Sequence, residues 1–115
     1  MNQSMDMAQT AYQALDEKLG EDIKVLQIDE VSVMADYLVI ANGNSSTQIM
    51  AMANSVQQKM SEKSYVLKQV EGNRNATWTL MDYGDVIVHI FSKEDRLFYD
   101  LERIWRDGKE ITMNA

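Results

Sequence analysis

The sequence predicts a single α/β domain: a mixed sheet of about five strands with helices packed on it. Three observations carry that prediction. Apolar residues recur at helical spacing in three stretches, and short runs rich in valine and isoleucine lie between them. One such run, Tyr37-Leu-Val-Ile-Ala41, has no polar alternation at all, as a strand covered on both faces does. The length of 115 residues suits one domain, and 45% hydrophobic with 25% charged residues is an ordinary globular composition. No proline and only five dispersed glycines leave no linker or repeat, so the reading is one unit over 1–115, with 109–115 a flexible tail.

From about Ser4 to Leu19, the residues Met5, Ala8, Tyr12, Leu15 and Leu19 fall on one helical stripe, with Gly20 as the stop. Ile23 to Ile28 and Tyr37 to Ala41 read as strands. Asn42-Gly43-Asn44-Ser45-Ser46 supplies a turn and helix caps ahead of Ile49, Met52, Ala53, Val56 and Met60. Tyr65 to Val70 is the next strand, expected to complete a parallel strand-helix-strand unit. After a loop, Glu71 to Asn75, the segments Ala76 to Asp82 and Val86 to Phe91 form a hairpin about Tyr83-Gly84-Asp85. Ser92 then caps a last helix whose stripe is Leu97, Phe98, Leu101, Ile104 and Trp105, ended by Asp107-Gly108.

The composition removes much chemistry. Without cysteine there is no disulfide, thiolate metal site or thiol nucleophile, and a single histidine rules out a multi-histidine zinc site. A formal charge of −7, from 18 acidic and 11 basic residues, disfavours phosphate backbones and favours a basic or neutral partner. The Met1 to Asp6 start carries no secretory pattern and no stretch has the length of a membrane span, so a cytoplasmic location is expected.

The candidate sites each have a plain alternative. The Gly43 to Ser46 turn could hold a phosphate at a helix N-terminus, but plain capping needs the same residues, and no nucleotide fingerprint is complete. Asp82 and Asp85, with Asp36, could hold magnesium for nucleotidyl transfer. They flank a turn, which aspartates stabilise, and no Asp-x-Asp pair is present. His89 shares a strand face with Ile87 and Phe91 and has no local nucleophile, which suits a core or contact histidine better than a general base. Trp78, Leu80 and Asp82 share the other hairpin strand's face, so the indole is either core or a docking anchor. Met50, Met52, Met60 and Met81 read as core filler.

The segments Ala35 to Ser46, Val70-Glu-Gly72, Trp78, Asp82 to His89 and Tyr99 to Trp105, in this order and spacing, resemble the ribosomal silencing factor (RsfS, Iojap-like) family. The resemblance implies a nucleotidyltransferase-like fold without the catalytic carboxylates, hence no enzyme, metal or cofactor. It implies a homodimer-forming protein that binds the large ribosomal subunit through its protein number fourteen. There it blocks joining of the small subunit and represses translation under nutrient limitation. The matching positions are Asp36, Ser45, Ser46, Glu71, Gly72, Trp78, Asp82, Gly84, Asp85, His89, Tyr99, Glu102 and Trp105. Trp78, Leu80, Asp82, His89 and Phe91 are expected to meet the partner. Gly43, Ser45, Ser46, Gly72, Gly84, Asp85, Tyr99 and Trp105 are expected to serve turns, caps and helix docking. Thr47 and Gln69 depart from the arginine and glycine usual in the family. The acidic balance further implies a protein contact with little direct RNA binding. The competing reading is a nucleotide-binding or nucleotidyl-transferring enzyme built on the Gly43–Ser46 turn with Asp82 and Asp85.

Overall fold

The computed structural model describes residues 3–72, 75 and 77–113, with the backbone alone at 104. In chain order it runs α1 (Gln3–Glu17), β1 (Glu21–Gln27), β2 (Tyr37–Gly43), α2 (Ser46–Glu62) and β3 (Gln69–Gly72). It continues β4 (Trp78–Asp82), β5 (Val86–Ser92), α3 (Lys93–Tyr99), α4 (Leu101–Ile104) and β6 (Lys109–Ile111). The strands form one mixed six-stranded sheet in the order β3-β4-β5-β2-β1-β6. β2 and β5 pair in parallel; the other neighbours are antiparallel.

Two expectations about the sheet need correction. Residues 109–111 are not tail: β6 pairs with the outer edge of β1, placing Ile111 opposite Val25 and against the core. That edge offers unpaired backbone groups, and a short closing segment satisfies them. Residues 114–115 of the expected tail lie outside the described ones, as do 73–74 of the loop and the Ala76 strand start. The strand-helix-strand unit does not close on an adjacent strand either, because β4 and β5 lie between β3 and β2. β3 still runs in the direction of β2, since two antiparallel steps restore it.

One face of the sheet is sealed by α1 and α2 over Val25, Val39, Ala41, Met81, Val88 and Ile90. The buried stripe of α1 is turned from the expected one toward Met7, Ala11 and Ala14, with Ala8 and Leu15 retained. These alanines let the helix approach α2 and the sheet closely. Leu19, expected to be buried, is exposed and takes the left-handed conformation, and the Gly20 N–H closes the helix onto the Leu15 carbonyl at 2.9 Å. Met52, Met60 and Met81 are core as expected, whereas Met50 points to solvent.

The α2 start is a full cap. Ser45 Oγ accepts from the Gln48 N–H (3.1 Å), and Gln48 Oε1 accepts from the Asn44 N–H (2.6 Å). The Gln48 Nε2 also donates to the Lys18 and Leu19 carbonyls (3.1 and 3.0 Å), stitching the end of α1 to the start of α2. Ser46 is the first helical residue, Thr47 is exposed on the first turn, and Gly43 is buried at the end of β2. Among the described residues, no helix is long and apolar enough to cross a membrane.

Candidate functional site

The opposite face of the sheet is only partly covered. Leu26, Ile28, Leu38, Ile40, Ile87 and Phe91 form its floor, and Leu101 and Trp105 lie on it, half-buried, alongside Trp78 and Leu80. Register and alternation build the exposed end: Trp78 stands opposite Phe91, Leu80 opposite His89 and Asp82 opposite Ile87. His89 therefore shares the face of Ile87 and Phe91, as its place in the strand predicts.

An aromatic row crosses this face. His89 stacks on Phe91 (5.6 Å between centroids), Phe91 on Tyr99 (5.7 Å), and Tyr99 leans on Trp78 (6.1 Å). Phe98 meets Tyr99 edge-on at 5.2 Å. Phe91 is 1% exposed, so it supports the row from beneath and cannot itself touch a partner, contrary to the expectation. The half-buried Trp78 and Leu80 remain within reach of one.

The last helix also departs from expectation. Ser92 caps it, accepting from the Asp95 N–H at 3.1 Å, but Asp100 adopts a left-handed conformation (φ 48°) and splits it into α3 and α4. The break turns Leu97 and Phe98, expected on the buried stripe, out to solvent at 81% and 80% exposure. Arg96 takes the inward place instead. The side chain of Ile104, expected on that stripe, is outside the described part.

The acidic candidates divide. Asp82 Oδ1 accepts from the Gly84 N–H (2.7 Å), and Gly84 has φ +88°, which only glycine adopts cheaply. The Asp85 backbone carbonyl accepts from the Asp36 and Tyr37 N–H groups (2.8 and 3.1 Å), while its side chain is exposed. Asp82 thus serves the turn and also stands at the rim of the aromatic face. Glu71 on β3, opposite Leu80, is a second carboxylate there and is exposed, and Gln69 Nε2 donates to it (2.6 Å). Gly72 lets β3 pass close to β4: a β-carbon would come within 2.9 Å of the Trp78 carbonyl oxygen.

This geometry sets the two halves of the expected enzyme constellation apart. Gly43 pairs with Ser92 at one end of the parallel β2–β5 pair, whereas the Asp82–Asp85 turn adjoins Val86 at the other, roughly 20 Å away along the strands. No group of three His, Asp or Glu side chains able to hold a metal occurs among the described residues.

Burial pushes His89 down from its ordinary 6.5 to about 4. The Trp78 Nε1–H donates to His89 Nδ1 (3.5 Å), which leaves the neutral ring's proton on Nε2. Below the ordinary value, the unfolded chain takes up a proton that the folded chain refuses. The stability tied to this ring is therefore complete above about pH 6.5 and lost as the pH falls toward 4, by up to about 3 kcal/mol. Its ring resonances should hold still from about pH 7.5 to about pH 5; a midpoint near the unperturbed value contradicts the assignment.

Fold and face together define a small α/β domain with one sheet face sealed by helices and the other displaying an aromatic row behind an acidic rim. Two crystal structures share the fold: one from Chromobacterium violaceum (TM-score 0.88, 31% identity, covering 99% of this chain and 94% of that one) and one from Bacillus halodurans (0.83, 33%, 95% and 99%). The chain belongs to the ribosomal silencing factor (RsfS, Iojap-like) family: the family model described as "Ribosomal silencing factor during starvation" matches residues 1–115. The ribosomal silencing factor RsfS of Bacillus subtilis is 40% identical over 108 residues (94% of this chain, 91% of that protein). That of Halalkalibacterium halodurans is 34% identical over 112 (97% and 96%). A mouse relative, 28% identical over 75% of this chain and 39% of its own length, is named for mitochondrial assembly of the ribosomal large subunit.

Proposed function

We propose that this chain docks on the large ribosomal subunit through that subunit's protein number fourteen, in the cytoplasm, and sterically prevents the small subunit from joining. It thereby represses translation when nutrients are short. The observation that carries the reading is the half-buried Trp78 in an aromatic row on the sheet face that α3 and α4 cover only in part. A large aromatic whose ring remains accessible is a usual anchor of a protein interface. The rim carboxylates Asp82 and Glu71 and the net charge of −7 suit a basic protein surface and repel rRNA, so direct RNA contact is small. No bond is made or broken: the action is occupancy, without cofactor or metal. Trp78, Leu80, Asp82 and His89 meet the partner, Phe91 supports them, and the chain pairs with itself as a homodimer.

Large and small subunits mixed with the protein and resolved on a sucrose gradient test this. The joined particle should disappear as the protein is added; an undiminished joined peak at saturating protein contradicts the reading.

A further inference from the structure

The segment that carries Tyr99 is fastened to the sheet by one buried arginine. Arg96 is 7% exposed. Its Nε donates to Glu102 Oε1 (2.9 Å), and its Nη1 donates to the Asp22 backbone carbonyl (2.6 Å) and to Asn42 Oδ1 (2.9 Å). Its Nη2 lies 3.6 Å from an Asp22 carboxylate oxygen. Lys24 Nζ donates to the other Glu102 oxygen at 2.8 Å. Burial alone would push the Glu102 carboxyl up, but the hydrogen bonds from Lys24 and Arg96 outweigh it and hold the group below its ordinary value.

One guanidinium therefore joins β1, β2, α3 and α4. A buried ion pair is weak in stability terms, because well-packed apolar side chains often do as well or better. What the planar fork adds is direction: three acceptors on three elements fix where the helix pair lies. The Asp100 N–H, at the break, donates to the Arg96 carbonyl (3.0 Å). Tyr99 follows three residues after Arg96 and ends with its ring against Phe91 and Trp78.

We propose that Arg96 is a positioning residue for the docking face, setting the α3–α4 elbow through Asp22, Asn42 and Glu102 so that Tyr99 closes the aromatic row. The proposal rests on the docking role argued above for that row. Lysine keeps the charge but cannot reach three acceptors at fixed angles, so it should not replace Arg96.

Two variants test it: Arg96→Lys, and Arg96→Met combined with Glu102→Gln, which removes the charge and its main partner together. Both are examined by far-UV circular dichroism for folding, by proton cross-peaks between Tyr99 and Trp78, and by cosedimentation with large subunits. The expected result is a folded chain without the Tyr99–Trp78 cross-peaks whose binding is weakened roughly tenfold or more. A folded variant that keeps the cross-peaks, or binds at parental strength, overturns the proposal. In the parent chain, the Arg96 Nε–H should give a resolved, slowly exchanging resonance, and rapid exchange overturns it whether or not the variants fold. If the parent does not bind large subunits, the docking reading fails, and the cross-peaks with the exchange rate still decide whether Arg96 sets the elbow.

Discussion

Replacing Trp78 with alanine is expected to weaken binding to the large ribosomal subunit by about 2 kcal/mol or more, roughly thirtyfold, while the chain stays folded. The indole leans on Tyr99 and donates to His89, yet it is only half-buried, so its outer surface is available to a partner pocket. Truncation removes that surface and leaves a depression beside Leu80 where water would be trapped. The neighbouring floor of Leu38, Ile40 and Ile87 is packed by Leu80, Leu101 and Trp105 as well as by the indole. Cosedimentation of a folded Trp78→Ala chain at parental strength contradicts this expectation.

Replacing Phe91 with alanine should give the opposite balance. Its ring is sealed between His89, Tyr99 and the floor of the face, and deleting a buried phenyl group costs about 3–5 kcal/mol through lost burial and the cavity left behind. Denaturant titration should show the midpoint falling accordingly. A loss below about 1 kcal/mol would mean that the face is more open than its packing shows. Together the two substitutions separate the contact layer from the layer that supports it, two neighbours across the β4–β5 pair.

Much of this arrangement is legible in the residues because it is local. The run from Tyr37 to Ala41 reads as a buried strand and is one. Ser45 and Ser92 read as caps and accept the expected N–H groups. Alternation along β5 puts His89 on the side it occupies, and Gly84 marks the hairpin. What stays hidden depends on partners distant in the chain. Strand β6 exists because β1 has an open edge, and no property of Lys-Glu-Ile announces that. The split at Asp100 breaks a stripe that is continuous in helical spacing, and it accompanies an Arg96 that reaches acceptors at positions 22, 42 and 102. Helical spacing places Leu97 and Phe98 inward, whereas in the structure both are exposed and Arg96 is the buried residue. Charged side chains that cluster only after folding, such as Arg96, Lys24 and Glu102, leave no signal in a window of neighbouring residues.

On the proposed function, the aromatic face of the sheet, and not the α1–α2 face, meets the ribosome. A density map of the chain bound to the large subunit tests it most directly. Expected in that map are Trp78 and Leu80 against ribosomal protein fourteen, Asp82 or Glu71 facing a basic side chain, and α1 and α2 turned away. A map with the α1–α2 side seated on the subunit, or with the Trp78 face open to solvent, would contradict it.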